Sequence, residues 1–266
     1  MVCKVQKALC GLKEAPRQWF DRLKETLLQL GFASRKCDTS LFVYNDKWHI
    51  IYILVYVEDI IITGTSNVIT QQLTTKLHSN FSLKQLGKLD YFLGIEIKSV
   101  ADGTILLTQS KYIKDFLQKN KMGESQFIFA PMTANCKLTK VGSYLFSDPS
   151  LYRSVVGAFQ YTTVTRLELS YAMNKVCLFM ANPMDSYWTI VKCILRYLKG
   201  SIRHGLDFKV AFSSQPFTIK ALYDANWASD PDDKRSTSGV VIYFSPNLVA
   251  WWSKKQQIMV RFSTKA

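Results

Sequence analysis

The chain has 266 residues, enough for one large or two ordinary domains, and at 48% hydrophobic and 13% aromatic it is too apolar to be disordered over most of its length. Its 34 Lys and Arg outnumber 20 Asp and Glu, leaving a net charge of +14 and a pI of about 9.5, the balance expected of a surface that meets phosphate. Six scattered cysteines (Cys3, Cys10, Cys37, Cys136, Cys177, Cys193), without a C-x-x-C or a nearby histidine at metal-ligand spacing, indicate neither a zinc site nor a disulfide framework and, with no secretory signal, fit a cytoplasmic or nuclear protein; the longest apolar run, Ile50 to Ile62, is broken by Glu58 and Asp59 and is too short to cross a bilayer.

Pro16 stands where the first helical residue belongs. Trp19, Phe20, Leu23, Leu27 and Leu30 recur at helical spacing and Gly31 follows at a left-handed capping position, which predicts an amphipathic helix. Two apolar strands come next, Leu41 to Tyr44 and Trp48 to Val57, joined by Asn45-Asp46-Lys47. A third run, Ile60 to Thr63, directly follows Glu58-Asp59, so that acidic pair lies at a hairpin tip. Ile69, Leu73 and Leu77 mark a second helix. Tyr91 to Ile97 and Thr104 to Gln109 predict a hairpin closed by the two-residue turn Asp102-Gly103, and a third helix lies around Tyr112 to Leu117.

Periodicity lapses over residues 122–147, which read as a linker laid over the surface. Asp148-Pro149 opens a helix, Leu167 to Met180 reads as another, and Asp185 begins a third that ends at Gly200. From His204 onward the texture is that of strands: Phe217 to Trp227, Gly239 to Phe244 and, after a Pro246-Asn247 turn, Val249 to Trp252. The fold class predicted from this order is α+β.

The sharpest chemical feature is Tyr56-Val57-Glu58-Asp59, adjacent carboxylates between very apolar strands. Charge in such a setting costs several kcal/mol unless it is paired, roughly the penalty that a divalent cation removes. The bland alternative is a solvent-facing turn, where Asp is common. Lys192, Arg196, Lys199 and Arg203 recur at or near helical spacing and make a stripe suited to tracking a phosphate backbone, or simply a solvated helix face. Lys254 and Lys255 beside Trp251 and Trp252 offer a further contact to a nucleic acid strand, unless those Trp residues only pack the sheet.

Several of these segments carry a family resemblance. Lys7 to Trp19 is similar to the copia-type reverse transcriptase signature ALYGLKQAPRxW, with Cys10 for its Tyr and Glu14 for its Gln. YVED resembles that family's YVDD hairpin, Leu86-Gly87 with Tyr91 to Ile97 its LGxLxYFLGIEI, and Gln109 to Tyr112 part of its SQxKYxxDLL. Further on, Leu151 to Ala158 resembles YRSLVGAL, Thr165 to Ala172 resembles TRPDISYA with its Pro and Asp changed, and Trp188 to Gly200 resembles HWxAxKRILRYLKG. Tyr223 to Ala228, Arg235 to Gly239 and Val249 to Gln256 resemble the opening of the family's ribonuclease H.

The resemblance implies a fragment of a copia-type retrotransposon Pol polyprotein. Its expected parts are a partial reverse transcriptase palm and thumb over residues 1–121, the linker over 122–147, a helical connection over 148–203 and a truncated ribonuclease H-like sheet over 204–266. It also implies two-metal nucleotidyl transfer with Mg²⁺ or Mn²⁺ about 3.5–4 Å apart, Glu58 and Asp59 as metal ligands, and Asp224 as a remnant ribonuclease H ligand. RNA, DNA or RNA–DNA hybrid would be bound without sequence preference, with Lys13, Arg17, Lys192, Arg196, Lys199, Lys254 and Lys255 at the phosphates and the rest of a Pol polyprotein as a further partner.

The departures point to lost activity. The strand with the family's first catalytic Asp would precede Met1. Glu58, standing for Asp, pushes its carboxylate outward by roughly an ångström, a misplacement that can cost about 10²-fold in rate. Lys265 stands where the second ribonuclease H carboxylate belongs, and Asp230, Asp232 and Asp233 read as solvated turn residues. Three readings therefore stay open: an inactive polymerase fragment, a catalytically silent basic protein that binds RNA or hybrid, and a decayed reading frame without a selected role.

Overall fold

The structure, a computed structural model, describes residues 15–57, 59–81, 83–84, 87–133, 136, 138–139, 144–211 and 216–259. Lys13, Glu58, Leu86, Lys265 and the front of the Lys7 to Trp19 signature lie outside the described residues. The chain is mixed helix and sheet, as its α+β pattern requires, and it divides into two units, Met1–Leu89 and Asp90–Ala266.

In the first unit α1 (Ala15–Gln29) presents the predicted stripe inward, with Leu23 and Leu27 fully buried. Gly31 ends it at φ +86°, a backbone state that costs a glycine nothing. An antiparallel meander follows: β1 (Ala33–Ser34), β2 (Leu41–Asn45), β3 (Ile50–Tyr56) and β4 (Asp59–Gly64), hydrogen-bonded in that order. Along β3, Ile51, Ile53 and Val55 are buried while Tyr52 and Tyr56 are exposed, so this apolar strand packs one face only. The packed face meets α1 and α2 (Asn67–Phe81), whose Leu73 and Leu77, one turn apart, join the same cluster.

The second unit begins with β5 (Tyr91–Phe92), β6 (Ile95–Ser99) and β7 (Ile105–Thr108). The β6–β7 connection is longer than the two-residue turn expected. Val100 N donates to Thr104 O and Gly103 N to Val100 O, with Gly103 at φ +85° and Asp102 Oδ1 accepting from Thr104 N, so three residues make the loop and glycine takes its left-handed position.

Helices α3 (Ser110–Lys119), α4 (Pro149–Thr162), α5 (Ser170–Cys177) and α6 (Asp185–Gly200) enclose one large core that includes Ile113, Phe116, Tyr152, Phe159, Val176, Val191 and Ile194. Asp148 caps α4 by accepting from Leu151 N, with Pro149 at the start of the helix. The single helix expected over Leu167 to Met180 is instead a 3₁₀ turn, Leu167–Leu169, leading into α5. The tighter turn lets Arg166 and Leu169 both face inward.

The segment at 122–147 is tied down where it is described. Leu138 is buried, Phe146 stacks on Trp188 with ring centroids 4.8 Å apart, and Tyr187 Oη donates to Thr139 O. After α6 the chain forms β8 (Gly205–Phe208) against β7, a hundred residues away. Only glycine fits at its start, since a Cβ on Gly205 would lie 2.2 Å from Leu107 O. A three-stranded antiparallel sheet, β9 (Ile219–Asn226), β10 (Thr237–Phe244) and β11 (Asn247–Lys255), is ordered β11-β10-β9.

Candidate functional site

Two places gather the candidate residues, one in each unit. In the first, β3 and β4 close so that Tyr56 pairs with Asp59, which puts Asp59 at the first position of β4 with its side chain exposed. Val57, at the tip, has φ +54° and is itself exposed. A β-branched residue resists that conformation, and such strain concentrates where a backbone must hold one geometry. Among the described residues no three His, Cys, Asp or Glu side chains come together as a metal-ligand set. Asp59 by itself does not fit a two-metal site, and no catalytic step follows from the described residues here.

In the second unit a cleft of about 510 Å³ lies between the 3₁₀ turn with the start of α5 and one face of the β9–β10–β11 sheet. Asp224, exposed on β9, stands opposite Gly239 on β10 and so looks over a strand position without a side chain. Glu168 supplies a second carboxylate to the cleft wall. It accepts from Arg166 Nε at 2.6 Å and from Tyr197 Oη at 3.3 Å. Tyr171 also lines the cleft; burial raises its hydroxyl pKa, against a lesser opposing effect of its hydrogen bond with Asn226.

Arg166 anchors this wall. It is 1% exposed, Nη1 donates to Ser201 O at 3.0 Å, Nη2 to Ser201 Oγ at 2.6 Å, and the guanidinium lies 5.7 Å from the Tyr197 ring centroid. The 3₁₀ turn is thereby fixed to the C-terminus of α6, where a cation is favoured. Sequence reasoning gave neither Arg166 nor Glu168 a role. The available signal was that Glu168 keeps an acid where TRPDISYA has its Asp.

Several basic candidates are engaged within the fold. On α6, Arg196 Nε donates to Gln126 O and Lys199 Nζ to Ser125 O, both at 2.7 Å, so these two hold the linker; Lys192 and Arg203 are exposed. Lys254 is exposed, whereas Lys255 Nζ lies 2.6 Å from Asp230 and 2.8 Å from Asp233. Arg17 is exposed on α1. Trp251 Nε1 donates to Thr163 O at 3.0 Å, and Trp252, half exposed, lines the cleft.

The acidic turn differs from the solvated one expected at Asp230, while Asp232 is exposed. Asp230 is 4% exposed, with Oδ1 accepting from the backbone of Asp232 and Asp233 and Oδ2 from Lys255. Burial alone would lower the pKa of Lys255, but the two carboxylates outweigh it and raise it. Burial likewise works against Asp233, and Lys255 together with the Arg235 amide holds its carboxyl below the usual range. Lys175, nearly buried with its ammonium 5.5 Å from the Tyr171 ring centroid, has its pKa lowered by burial.

Residues 1–134 match the family described as Reverse transcriptase (RNA-dependent DNA polymerase). The whole chain is 42% identical over 265 residues to the retrovirus-related Pol polyprotein from transposon RE2 of Arabidopsis thaliana, covering 18% of it, and 41% identical over 265 residues to that from transposon RE1 of the same plant, again 18%. It is also 37% identical over 214 residues to an uncharacterized mitochondrial protein of Arabidopsis thaliana, covering 80% of this chain and 87% of that one. The chain thus spans about a fifth of the length of the Pol polyproteins it matches. No solved structure matches it.

Proposed function

This chain belongs to the reverse transcriptase family, in its copia-type retrotransposon branch, and we propose that it is a polymerase-derived piece of a Pol polyprotein that binds RNA–DNA hybrid without extending a primer by itself. The observation that carries this reading is the β3–β4 hairpin. It lies inside the family match, places Asp59 at its tip and holds Val57 in a strained conformation beside it. Glu58 and Asp59 are the metal ligands this reading assigns, with Mg²⁺ or Mn²⁺ as the metal. Nucleotidyl transfer by two metals needs carboxylates from more than one strand. Among the described residues no such set comes together, so on this reading the chain binds hybrid without synthesis.

On the same reading β9–β10–β11 is the opening sheet of a ribonuclease H-like domain and Asp224 its remnant ligand. The helices between are the connection. Binding rests on charge: the net +14 attracts a polyanion, and Lys192, Arg203, Lys254 and Arg17 present exposed cations to it, whereas internal contacts occupy Arg196, Lys199 and Lys255.

A salt titration of hybrid binding tests the claim. Taking one lysine away from the phosphates lowers the slope of log affinity against log salt by about 1. The double variant K192Q/K254Q should therefore bind with a slope shallower by about 2, with its melting curve unchanged because both side chains are exposed. A slope equal to that of the parent chain removes these residues from the interface. Absence of any salt-dependent binding sinks the reading as a whole.

A further inference from the structure

The segment that follows α3 carries two phenyl rings that the core does not take. Phe127 is 54% and Phe129 90% exposed, whereas Ile128 between them is half-buried, so the two rings share the outer side of the chain. They meet edge to face, with ring centroids 5.4 Å apart and an interplanar angle of 88°. At that exposure Phe129 keeps a ring face open to water, and adjoining aromatic rings left in water forgo the burial that drives folding.

The rings stand on a fixed base. Ser125 N and Oγ both donate to Met122 O, Arg196 Nε donates to Gln126 O and Lys199 Nζ to Ser125 O, the last two at 2.7 Å. Phe127 lies against Gly200, the last residue of α6, where an added Cβ would stand 3.1 Å from the ring, so the ring closes over a helix end that has no side chain. Charge surrounds this base. A carbonyl accepts a hydrogen bond without cancelling charge, so Arg196 and Lys199 remain cations while they hold the segment, each with N–H groups to spare. Neither they nor Lys192 and Arg203 enter an ion pair among the described residues. From Lys119 to Pro131 the sequence has one acid, Glu124, against Lys119 and Lys121.

We infer that Phe127 and Phe129 form a stacking platform for unpaired nucleobases, with the α6 cations at the phosphates of the same strand. Exposed rings beside uncancelled cations suit a ligand that offers flat apolar faces and negative charge together. An unpaired nucleic acid strand does so, because each base has a π-face and each nucleotide a phosphate. Bases inside a hybrid are stacked on one another and show a protein only their edges, so the rings have no use for the duplex itself. An apolar protein segment laid on the rings would desolvate the neighbouring cations without pairing them. The inference rests on the hybrid-binding proposal in taking nucleic acid as the ligand, and extends it to the unpaired strand that continues from a hybrid.

The test compares the affinity of the 266-residue chain, at one salt concentration, for a blunt hybrid, the same hybrid with an unpaired overhang, and the same hybrid with an abasic overhang of equal length. The abasic overhang keeps the phosphates and lacks the bases. Each overhang is placed on the RNA strand in one series and on the DNA strand in another; a gain confined to one series assigns the platform to that strand. The base-bearing overhang should bind about tenfold tighter than the abasic one. Phe129→Ala should abolish that ratio while leaving blunt-hybrid affinity and the melting curve unchanged, since the ring is 90% exposed. Phe129→Leu keeps apolar bulk without a π-face and should behave as alanine does, whereas Phe129→Trp should retain the ratio. Equal affinity of the parent chain for the two overhangs, or a Phe129→Ala or Phe129→Leu chain with the parental ratio, overturns the platform even where the blunt hybrid is bound. If the blunt hybrid is not bound and the tenfold ratio is still seen, the platform stands and the hybrid-binding proposal falls.

Discussion

Val57 sits in a left-handed conformation that costs a side-chain-bearing residue roughly 1–2 kcal/mol, whereas glycine in place of it loses about 0.5–1 kcal/mol of chain entropy. Val57→Gly should accordingly raise stability by up to about 1 kcal/mol in a urea titration. Unchanged or lower stability would mean that the Val57 side chain contributes more than its strain costs. Arg166 has the opposite character. Replacing it by Met leaves the buried Ser201 carbonyl and the part-exposed Glu168 carboxylate without their cation, a loss of about 1–3 kcal/mol, and Lys should not restore it because one ammonium cannot reproduce three directed N–H bonds. Near-parental melting of Arg166→Lys would contradict that account.

Lys255 with Asp233 gives a pH dependence whose sign is fixed. The Lys255 pKa is raised on folding, so its contribution is full below about 10.4, the unfolded value, and fades as pH rises through the folded one. The Asp233 pKa is lowered, so its share is present above about 3.9 and fades as pH falls through the folded value. The melting difference between the parent chain and Lys255→Met should thus be greatest between about pH 5 and pH 10 and shrink towards both extremes. A difference that is flat with pH would show that packing, not charge, makes up Lys255's contribution.

At the scale of elements, local pattern was readable and distant pairing was not. α1 was legible because Leu23, Leu27 and Leu30 repeat at helical spacing and Gly31 ends them. Leu27→Ala should cost about 2–5 kcal/mol, measured by chemical denaturation, since Leu27 is fully buried between α1 and the sheet. The β3–β4 hairpin was legible from two apolar runs around an acidic pair. The pairing of β7 with β8 was not, because nothing in Ile105–Thr108 specifies a partner a hundred residues on.

Gly205 carries the local trace of that pairing. A side chain there meets backbone, which has no rotamer to yield. Gly205→Val should speed amide exchange across Ile105–Thr108 and Gly205–Phe208 while leaving β9 and β10 protected. Protection equal to the parent's on β7 would contradict the packing argument. The acidic turn and the α6 stripe escaped the sequence for a related reason. Whether Asp230 is solvated, or Lys199 free, depends on Lys255 and on the carbonyl of Ser125, and neither contact leaves a periodicity.

For the whole molecule, the proposed function has the excess of positive charge meet nucleic acid, while the described residues hold Asp59 and Asp224 in separate units and bring together no metal-ligand set. No helix among the described residues is long and apolar enough to cross a membrane. The most direct test of the central claim is nucleotide incorporation on a primed RNA template with Mg²⁺ or Mn²⁺. It compares the 266-residue chain, its Glu58→Asp variant, and that variant fused behind a family segment carrying a further acidic strand. The account predicts no incorporation above background by the first two and measurable incorporation by the third. Incorporation by either of the first two would contradict it.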